Sequence, residues 1–235
     1  MTVKRILLLD FDHTLYPPSA NTLKAVDARI NLYIQTYLGF SLDAADGIRL
    51  RLWDEYGTTL RGLEIHHGVD RDHYCDFIHA IDAIHLPPPD PALRDWLARL
   101  SLPFYIFTNA RRDWAERGLA AMGLSGILPV TEAPAAALKA AGAPRLHGIL
   151  DIAFMGWEGK PHPLAYDKVD KHLRAAHGEN ILVILADDRT DNLLEARRRE
   201  WMTIWISPEA GRSGASGEFD WAAASLTELD PDKLG

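Results

Sequence analysis

Short apolar runs alternate with amphipathic stretches along most of this chain. The stretches between and around these runs carry apolar residues at helical spacing, as in "RDWAERGLAAMG" and "HPLAYDKVDKHLRAAHG". Four runs consist almost wholly of aliphatic and aromatic residues, at 4–9, 103–108, 180–186 and 202–207. Such runs are typical of parallel strands that are covered on both faces. The alternation predicts an α/β fold built on a Rossmann-like, doubly wound parallel sheet.

A helical block interrupts the alternation. Helical spacing continues through "SANTLKAVDARINLYIQTYLGF", "SLDAADGIRLRLWDEYG" and "DRDHYCDFIHAI". Ser19 or Asn21 is predicted to cap the first of these helices, Gly57 to end the second and Asp70 to cap the third. The "HLPPPDP" stretch that follows cannot continue a helix and predicts a stiff linker.

The chain is therefore predicted to have two parts. Residues 1–14 and 89–235 form the α/β core, and residues 15–88 form an inserted helical unit. Within the core, the Ala- and Pro-rich stretch at 128–147 fits neither pattern and predicts a surface excursion that lines an entrance or contacts a partner. "GRSGASGE" (211–218) predicts a flexible loop.

Composition narrows the class of protein. The 235 residues are 47% hydrophobic and 25% charged, as in ordinary globular proteins, and the net charge is −8. This acidity argues against nucleic acid or an anionic membrane as a partner. Cys75 is the only cysteine, which excludes an intrachain disulfide and a cysteine-based zinc site. A cytoplasmic location is expected, and homo-oligomerisation stays open.

Polar residues follow three of the predicted strands. Asp10 and Asp12 come after the first, Thr108 and Asn109 after the second, and Asp187 and Asp188 after the third. The carboxyl ends of parallel strands meet at one edge of the sheet, where open α/β sheets bind ligands. Lys160, in "GKPHP", is the only evident cation nearby. Four carboxylates so close together would repel one another, and a divalent cation removes the conflict. Oxygen ligands favour Mg²⁺, which pairs well with a phosphoryl substrate.

"DFDHT", "FTNA", "GKPHP" and "ADDRTDN", in this order, resemble the four motifs of the haloacid dehalogenase superfamily of phosphohydrolases. The helical unit at 15–88 corresponds in position to the cap of that superfamily. "YGTTLRGL" and "DFDHTLYPPS" resemble its pyrimidine 5′-nucleotidase branch.

The resemblance implies a role for each motif residue. Asp10 would be the nucleophile, and Asp12 the general acid and base whose backbone carbonyl also binds the metal. Thr108 and Asn109 would bind phosphoryl oxygens, and Lys160 would neutralise charge. Asp188 would bind Mg²⁺ directly and Asp187 through a water, with Asp191 and Asn192 in support. Backbone N–H groups of Phe11, Asp12 and Asn109 would join the phosphate site.

Four further residues are candidate substrate contacts. His13 stands where relatives often carry a small polar residue, and it either contacts substrate or points away. Arg61, in a predicted polar loop "TTLRG", either contacts substrate or forms a salt bridge within the cap. Tyr56, with Trp53, either stacks on substrate or belongs to the core.

The expected function is Mg²⁺-dependent hydrolysis of phosphomonoesters through an aspartyl-phosphate, on nucleoside 5′-monophosphates. The dehalogenase branch lacks a second aspartate at the position of Asp12, since a halide leaves without a proton. Two alternatives stay open: a phosphatase for sugar phosphates or phosphoglycolate, and a catalytically idle binding protein. The presence of Asp10, Asp12 and Lys160 argues against the idle protein.

Overall fold

The computed structural model describes residues 3–127, 146–210 and 218–235. Its described residues form a six-stranded, all-parallel sheet in the order β3-β2-β1-β4-β5-β6. The strands are Lys4–Leu9 (β1), Phe104–Phe107 (β2), Leu146–Leu150 (β3), Ile181–Asp187 (β4), Met202–Ile206 (β5) and Trp221–Ala223 (β6). The predicted Rossmann-like α/β fold is confirmed. The sequence interpretations for 128–145 and 211–217 lie outside the described residues.

Eight α-helices accompany the sheet within the described ranges. Those between β1 and β2 are Thr22–Leu38 (α1), Leu42–Tyr56 (α2), Thr59–His67 (α3), Arg71–His79 (α4) and Pro91–Arg99 (α5). Those that follow β2 are Arg112–Ala121 (α6), Pro163–His177 (α7) and Thr190–Arg197 (α8). None of the described helices is long and apolar enough to cross a membrane.

Strand β1 lies at the centre of the sheet, between β2 and β4. Its apolar run divides by alternation: Leu7 and Leu9 pack into one core layer, and Ile6 and Leu8 into the other. The chain builds outward from β1 to β3 on one side and then returns to build β4 to β6 on the other. β1 therefore ends at the point where the strand order reverses, which is where α/β sheets open a crevice.

Local chemistry explains most helix ends. Asp70 accepts a hydrogen bond from the backbone N–H of His73 (2.8 Å) and caps α4, as predicted. Gly57 ends α2 with a φ of 76°. α1 differs from the expectation: Asn21 occupies the N-cap position with a φ of 59°, but its side chain donates to the carbonyl of Ser19 instead of capping the helix.

Three elements were absent from the sequence interpretation. The predicted loop "TTLRG" was wrong, because it begins α3, where Thr58 Oγ1 accepts from the N–H of Arg61 (3.2 Å). β3 contains His147 and Gly148, so it lacks an unbroken apolar run, and β6 has only three residues. Short or polar-interrupted elements give weak periodic signals.

Helices α1 to α4 lie over the carboxyl edge of the sheet. Gly57 at the end of α2 approaches Lys160 so closely that a Cβ there would lie 2.9 Å from the Lys160 carbonyl oxygen. On the sheet side, Arg117 in α6 donates to the carbonyl oxygens of His79 (2.7 Å) and Ile81 (2.5 Å). The division into a core (1–14, 89–235) and a cap (15–88) stays a prediction.

Candidate active site

A buried lysine joins the ends of three strands. Lys160 Nζ lies 2.8 Å from Asp10 Oδ1, 2.6 Å from Asp187 Oδ2 and 2.7 Å from the carbonyl oxygen of Phe107. Only 1% of the Lys160 side chain is exposed. A charge buried this deeply requires opposite charge and hydrogen bonds around it, and β1, β2 and β4 each supply one partner.

Asn109 fixes the backbone of Lys160. Its Oδ1 accepts from the Lys160 N–H (2.7 Å), and its Nδ2 donates to the Lys160 carbonyl oxygen (2.8 Å). The structure therefore gives the Asn109 side chain a positioning role that differs from the predicted contact with phosphoryl oxygens. That contact stays a prediction for the Asn109 backbone N–H. Thr108 Oγ1 accepts from the N–H of Ala110 (3.0 Å), which leaves its hydroxyl proton to donate to a ligand.

Asp10, Asp187 and Asp188 form a compact acidic cluster. One carboxylate oxygen from each lies within 4.8 Å of the others. Burial, reinforced by Asp187 and opposed by Lys160, raises the pKa of Asp10 to about 7. Burial, with the nearby charges of Asp10 and Asp187, raises the pKa of Asp188 to about 8. One lysine does not compensate this much negative charge, so the oxygen-only cluster fits a divalent cation such as Mg²⁺.

The two aspartates that end β4 differ in their surroundings. Asp187 Oδ1 accepts from the Arg189 N–H and from Asn192 Nδ2, both at 2.9 Å, and its Oδ2 accepts from Lys160. Asp188 lines the cavity described below, 3.7 Å from His13 Nδ1. This contrast supports Asp188 as the direct metal ligand and Asp187 as an indirect one.

We expect the stability of the metal-free protein to fall as pH rises from about 4 to about 8. The pKa values of Asp10 (about 7) and Asp188 (about 8) lie above the 3.8 of a free aspartate. The folded state therefore binds more protons than the unfolded state in this window, and raising the pH removes that advantage. Thermal melts with and without Mg²⁺ test this: Mg²⁺ should raise Tm strongly at pH 8 and little at pH 5. Equal Mg²⁺ effects at both pH values would contradict the cluster's role.

Asp12 is held by one carboxylate oxygen. Its Oδ1 accepts from the hydroxyl of Tyr16 and from Trp114 Nε1 (3.3 Å). No donor from the described residues lies on its Oδ2. Burial raises the pKa of Asp12, although these two hydrogen bonds oppose the shift. One oxygen is thus fixed in place while the other is free to carry a proton.

The sequence analysis did not predict either of the two hydrogen-bond donors to Asp12. Tyr16 lies four residues after Asp12, a spacing that could have suggested the contact. Trp114 lies 102 residues away and gives no such signal.

A cavity of about 520 Å³ opens between the sheet edge and the helical block. Of the predicted site residues, those that line it are Asp10, Asp12, His13, Thr108, Asn109, Lys160, Asp188 and Asn192. Asp187 does not line the cavity; its side chain is buried and contacts Lys160 Nζ. Asp191 also lies outside it and pairs with Arg189. The structure thus brings the four motifs together around one space.

Two predicted substrate contacts lie elsewhere. Arg61 pairs with Glu64 (3.2 Å), which is the predicted salt bridge within the cap, and also with Glu158 (3.1 Å), which lies outside residues 15–88; it does not line the cavity. Tyr56 is also absent from the lining, and its hydroxyl hydrogen-bonds His66 Nε2 (2.8 Å). Arg61 lies in α3 and Tyr56 is the last residue of α2, and both side chains have polar partners away from the cavity.

The structure places Trp53 in the cavity, unlike Arg61 and Tyr56. Of its two alternatives the core position is wrong, because 43% of the residue is exposed and the residue lines the cavity. The guanidinium carbon of Arg189 lies 3.9 Å from the ring centroid. This cation–π contact joins α2 of the helical block to the loop that carries Asp188.

Solved structures share this architecture over nearly the whole chain, although no protein-family model matches the sequence. A phosphatase from Thermococcus onnurineus is 16% identical, with 98% of each chain covered and a TM-score of 0.57. A hydrolase from Bacillus subtilis, YfnB, bound to magnesium, is 18% identical, with 97% of each chain covered and a TM-score of 0.50.

A third structure belongs to a different activity. The L-2-haloacid dehalogenase of Xanthobacter autotrophicus is 15% identical, covering 99% of this chain and 98% of that one, with a TM-score of 0.51. Phosphatases and dehalogenases thus share the arrangement, so these likenesses concern fold and not the bond that is broken. The chain described here has the fold of the haloacid dehalogenase-like hydrolases.

Proposed function

We propose that this protein is a Mg²⁺-dependent phosphomonoester hydrolase that works through an aspartyl-phosphate on Asp10. The observation that carries the proposal is the setting of Asp12. It lies beside Asp10 in the same cavity, with Oδ1 fixed by Tyr16 and Trp114 and Oδ2 without a described partner. An alkoxide leaving group needs a proton and a halide does not, so a placed acid favours phosphate ester cleavage.

Asp10 begins the reaction by attacking phosphorus. Its Oδ1 accepts the short hydrogen bond from Lys160 (2.8 Å), whereas Oδ2 accepts only a long one from Thr14 Oγ1 (3.5 Å). Oδ2 therefore forms the new bond to phosphorus while the bond to the ester oxygen breaks. Asp12 gives its proton to the departing alkoxide, which leaves as an alcohol. Lys160 and the hydroxyl of Thr108 stabilise the charge on the transferring group.

Hydrolysis of the aspartyl-phosphate reverses the role of Asp12. Asp12, now ionised, takes a proton from a water molecule, whose oxygen attacks phosphorus. The bond between phosphorus and Asp10 Oδ2 breaks, which releases phosphate and restores both aspartates.

The residues that would hold Mg²⁺ are Asp10, Asp188 and the backbone carbonyl of Asp12. When bound, the ion supplies positive charge that keeps Asp10 ionised and neutralises phosphoryl oxygens. Within the described cluster Lys160 alone leaves the pKa of Asp10 at about 7, so full ionisation at neutral pH needs this additional charge.

Nucleoside 5′-monophosphates are the proposed substrates. The proposed partners are small phosphomonoesters, and neither nucleic acid nor a membrane, and the proposed location is the cytoplasm. The resemblance of the cap segments to pyrimidine 5′-nucleotidases supports this choice. A panel of UMP, CMP, fructose 6-phosphate and phosphoglycolate separates the alternatives. Release of phosphate from the last two alone would keep the chemistry and discard the nucleotide assignment.

Chelation tests the metal dependence. We expect EDTA to abolish phosphate release from 4-nitrophenyl phosphate and added Mg²⁺ to restore it. Calcium serves as a control because it binds oxygen ligands with a larger, looser geometry and should restore far less activity. Turnover that is indifferent to EDTA would contradict the metal-dependent mechanism.

A further inference from the structure

The cavity has two chemically different halves. The sheet-edge half carries the catalytic aspartates and Lys160. The far half, which we call the distal chamber, is formed by the cap helices, and its wall includes Leu23, Val26, Ile30, Leu50 and Ile78. Since the reacting phosphoryl group belongs at the sheet edge, the distal chamber faces the leaving group. This inference therefore rests on the proposed function.

Asp27 is the carboxylate of this wall, which also includes the polar side chains of Arg49, Thr58 and Thr59. Asp27 lies four residues after Leu23 and three before Ile30, so it shares their face of α1 and lines the cavity with them. Its Oδ1 pairs with Arg49 Nη1 at 2.9 Å. No donor from the described residues lies on its Oδ2, so this oxygen is available to a ligand.

Arg49 holds Asp27 in place. The Arg49 side chain is 15% exposed, and it also contacts Asp46 (Nη2, 2.9 Å) and Asn31 Oδ1 (Nε, 3.2 Å). These contacts tie α1 to α2 and fix the guanidinium. Arg49, which Asp27 shares with Asp46, offsets part of the negative charge of Asp27, so Asp27 has less attraction for a cationic ligand than a lone carboxylate would have.

We propose that Asp27 determines substrate specificity by accepting a hydrogen bond from a single uncharged donor at the end of the leaving group that lies farthest from phosphorus. A polyhydroxylated sugar that reached the far end of the chamber would place several hydroxyls against its aliphatic side chains, where each hydroxyl without a partner is costly. The ribose of a nucleotide lies next to the phosphoryl group instead. A heteroaromatic ring with one N–H matches the chamber better, because the ring faces the apolar side chains and the N–H faces Asp27 Oδ2. The N3–H of a uracil base is such a donor.

A matched pair of substrates isolates this hydrogen bond. UMP carries the N3–H, and 3-methyl-UMP replaces it with a methyl group. We expect the wild type to prefer UMP by about tenfold or more in kcat/KM. Asp27→Asn keeps the size of the side chain but removes its charge, and it should reduce this preference by about fivefold.

Asp46→Asn is the matched control. Asp46 also pairs with Arg49 and has a similarly exposed side chain, but it does not line the cavity, so the preference for UMP should stay within about twofold of wild type. Circular dichroism and thermal melts of both variants establish that they are folded.

Other outcomes overturn the inference. Equal loss of kcat/KM on both substrates in Asp27→Asn, with the preference kept, would make Asp27 merely structural. Faster hydrolysis of phosphoethanolamine than of UMP would show that the chamber selects a cation. Turnover of 4-nitrophenyl phosphate with no wild-type preference for UMP would overturn the role of Asp27 alone. Absence of phosphate release from every ester would overturn the proposed function and this inference with it.

Discussion

Replacing Asp10 with asparagine should lower phosphate release by about 10⁴-fold or more while the protein stays folded. An amide oxygen is a poor nucleophile, and no aspartyl-phosphate can form without this carboxylate. The fold should survive because the substitution removes a charge that burial already disfavours, as the raised pKa of Asp10 shows. In the absence of metal at pH 8, the melting temperature of the variant should equal or exceed that of the wild type.

The control for this variant is Asp167→Asn. Asp167 is 60% exposed and pairs with Arg199 away from the cavity, so its loss should leave turnover near the wild-type rate. Retention of more than a tenth of wild-type turnover by Asp10→Asn would remove Asp10 as the nucleophile.

Replacing Lys160 with methionine should damage both catalysis and stability. Asp10 and Asp187 would lose the ammonium that lies 2.8 Å and 2.6 Å from them, and both are buried. Leaving a buried charge without its partner costs about 3–5 kcal/mol, and the transferring group would lose its nearest protein cation. We expect turnover to fall by about 10³-fold. Chemical denaturation at pH 8 without metal should show the lower free energy of unfolding.

A second substitution separates the two effects. In Lys160→Met combined with Asp187→Asn, a neutral amide replaces one of the two carboxylates that have lost their cation. The free energy of unfolding should therefore recover in part, while turnover stays low. Lys171→Met, at an exposed lysine of α7, is the control and should change neither quantity. Normal turnover in folded Lys160→Met would contradict the charge-neutralising role of this lysine.

The sequence was sufficient for the parts of the site that sit at strand ends. The run from Ile6 to Leu9 predicts a buried strand, and parallel strands bring Asp10, Thr108 and Asp188 to one edge whatever the loops do. Lys160 follows no predicted strand, so its place at this edge rested on the need for a cation among the carboxylates and on the resemblance of "GKPHP" to a motif. The structure supplies the physical reason for its position, which is the pair of hydrogen bonds from Asn109 to its backbone.

Contacts between the helical block and the sheet could not be predicted from the sequence. Trp53 looked like a core residue because its spacing is helical, but the face it occupies is decided by how the block lies over the sheet. The contact of Trp114 with Asp12 also depends on tertiary packing, because the two residues lie 102 positions apart in the sequence. Local periodicity carries no information about such long-range placement. For Arg61 and Tyr56 the sequence left two alternatives open, and the structure favours those without substrate, since each side chain has a polar partner within the described residues and neither lines the cavity.

The most direct test of the central claim is which bond the protein breaks. Purified wild-type protein with Mg²⁺ is incubated in parallel with 4-nitrophenyl phosphate and with L-2-chloropropionate, and phosphate and chloride are measured. The arrangement of Asp12 beside Asp10 predicts phosphate release without chloride release, with phosphate release lost in Asp10→Asn. Chloride release without phosphate release would contradict the account and assign the chain to dehalogenation.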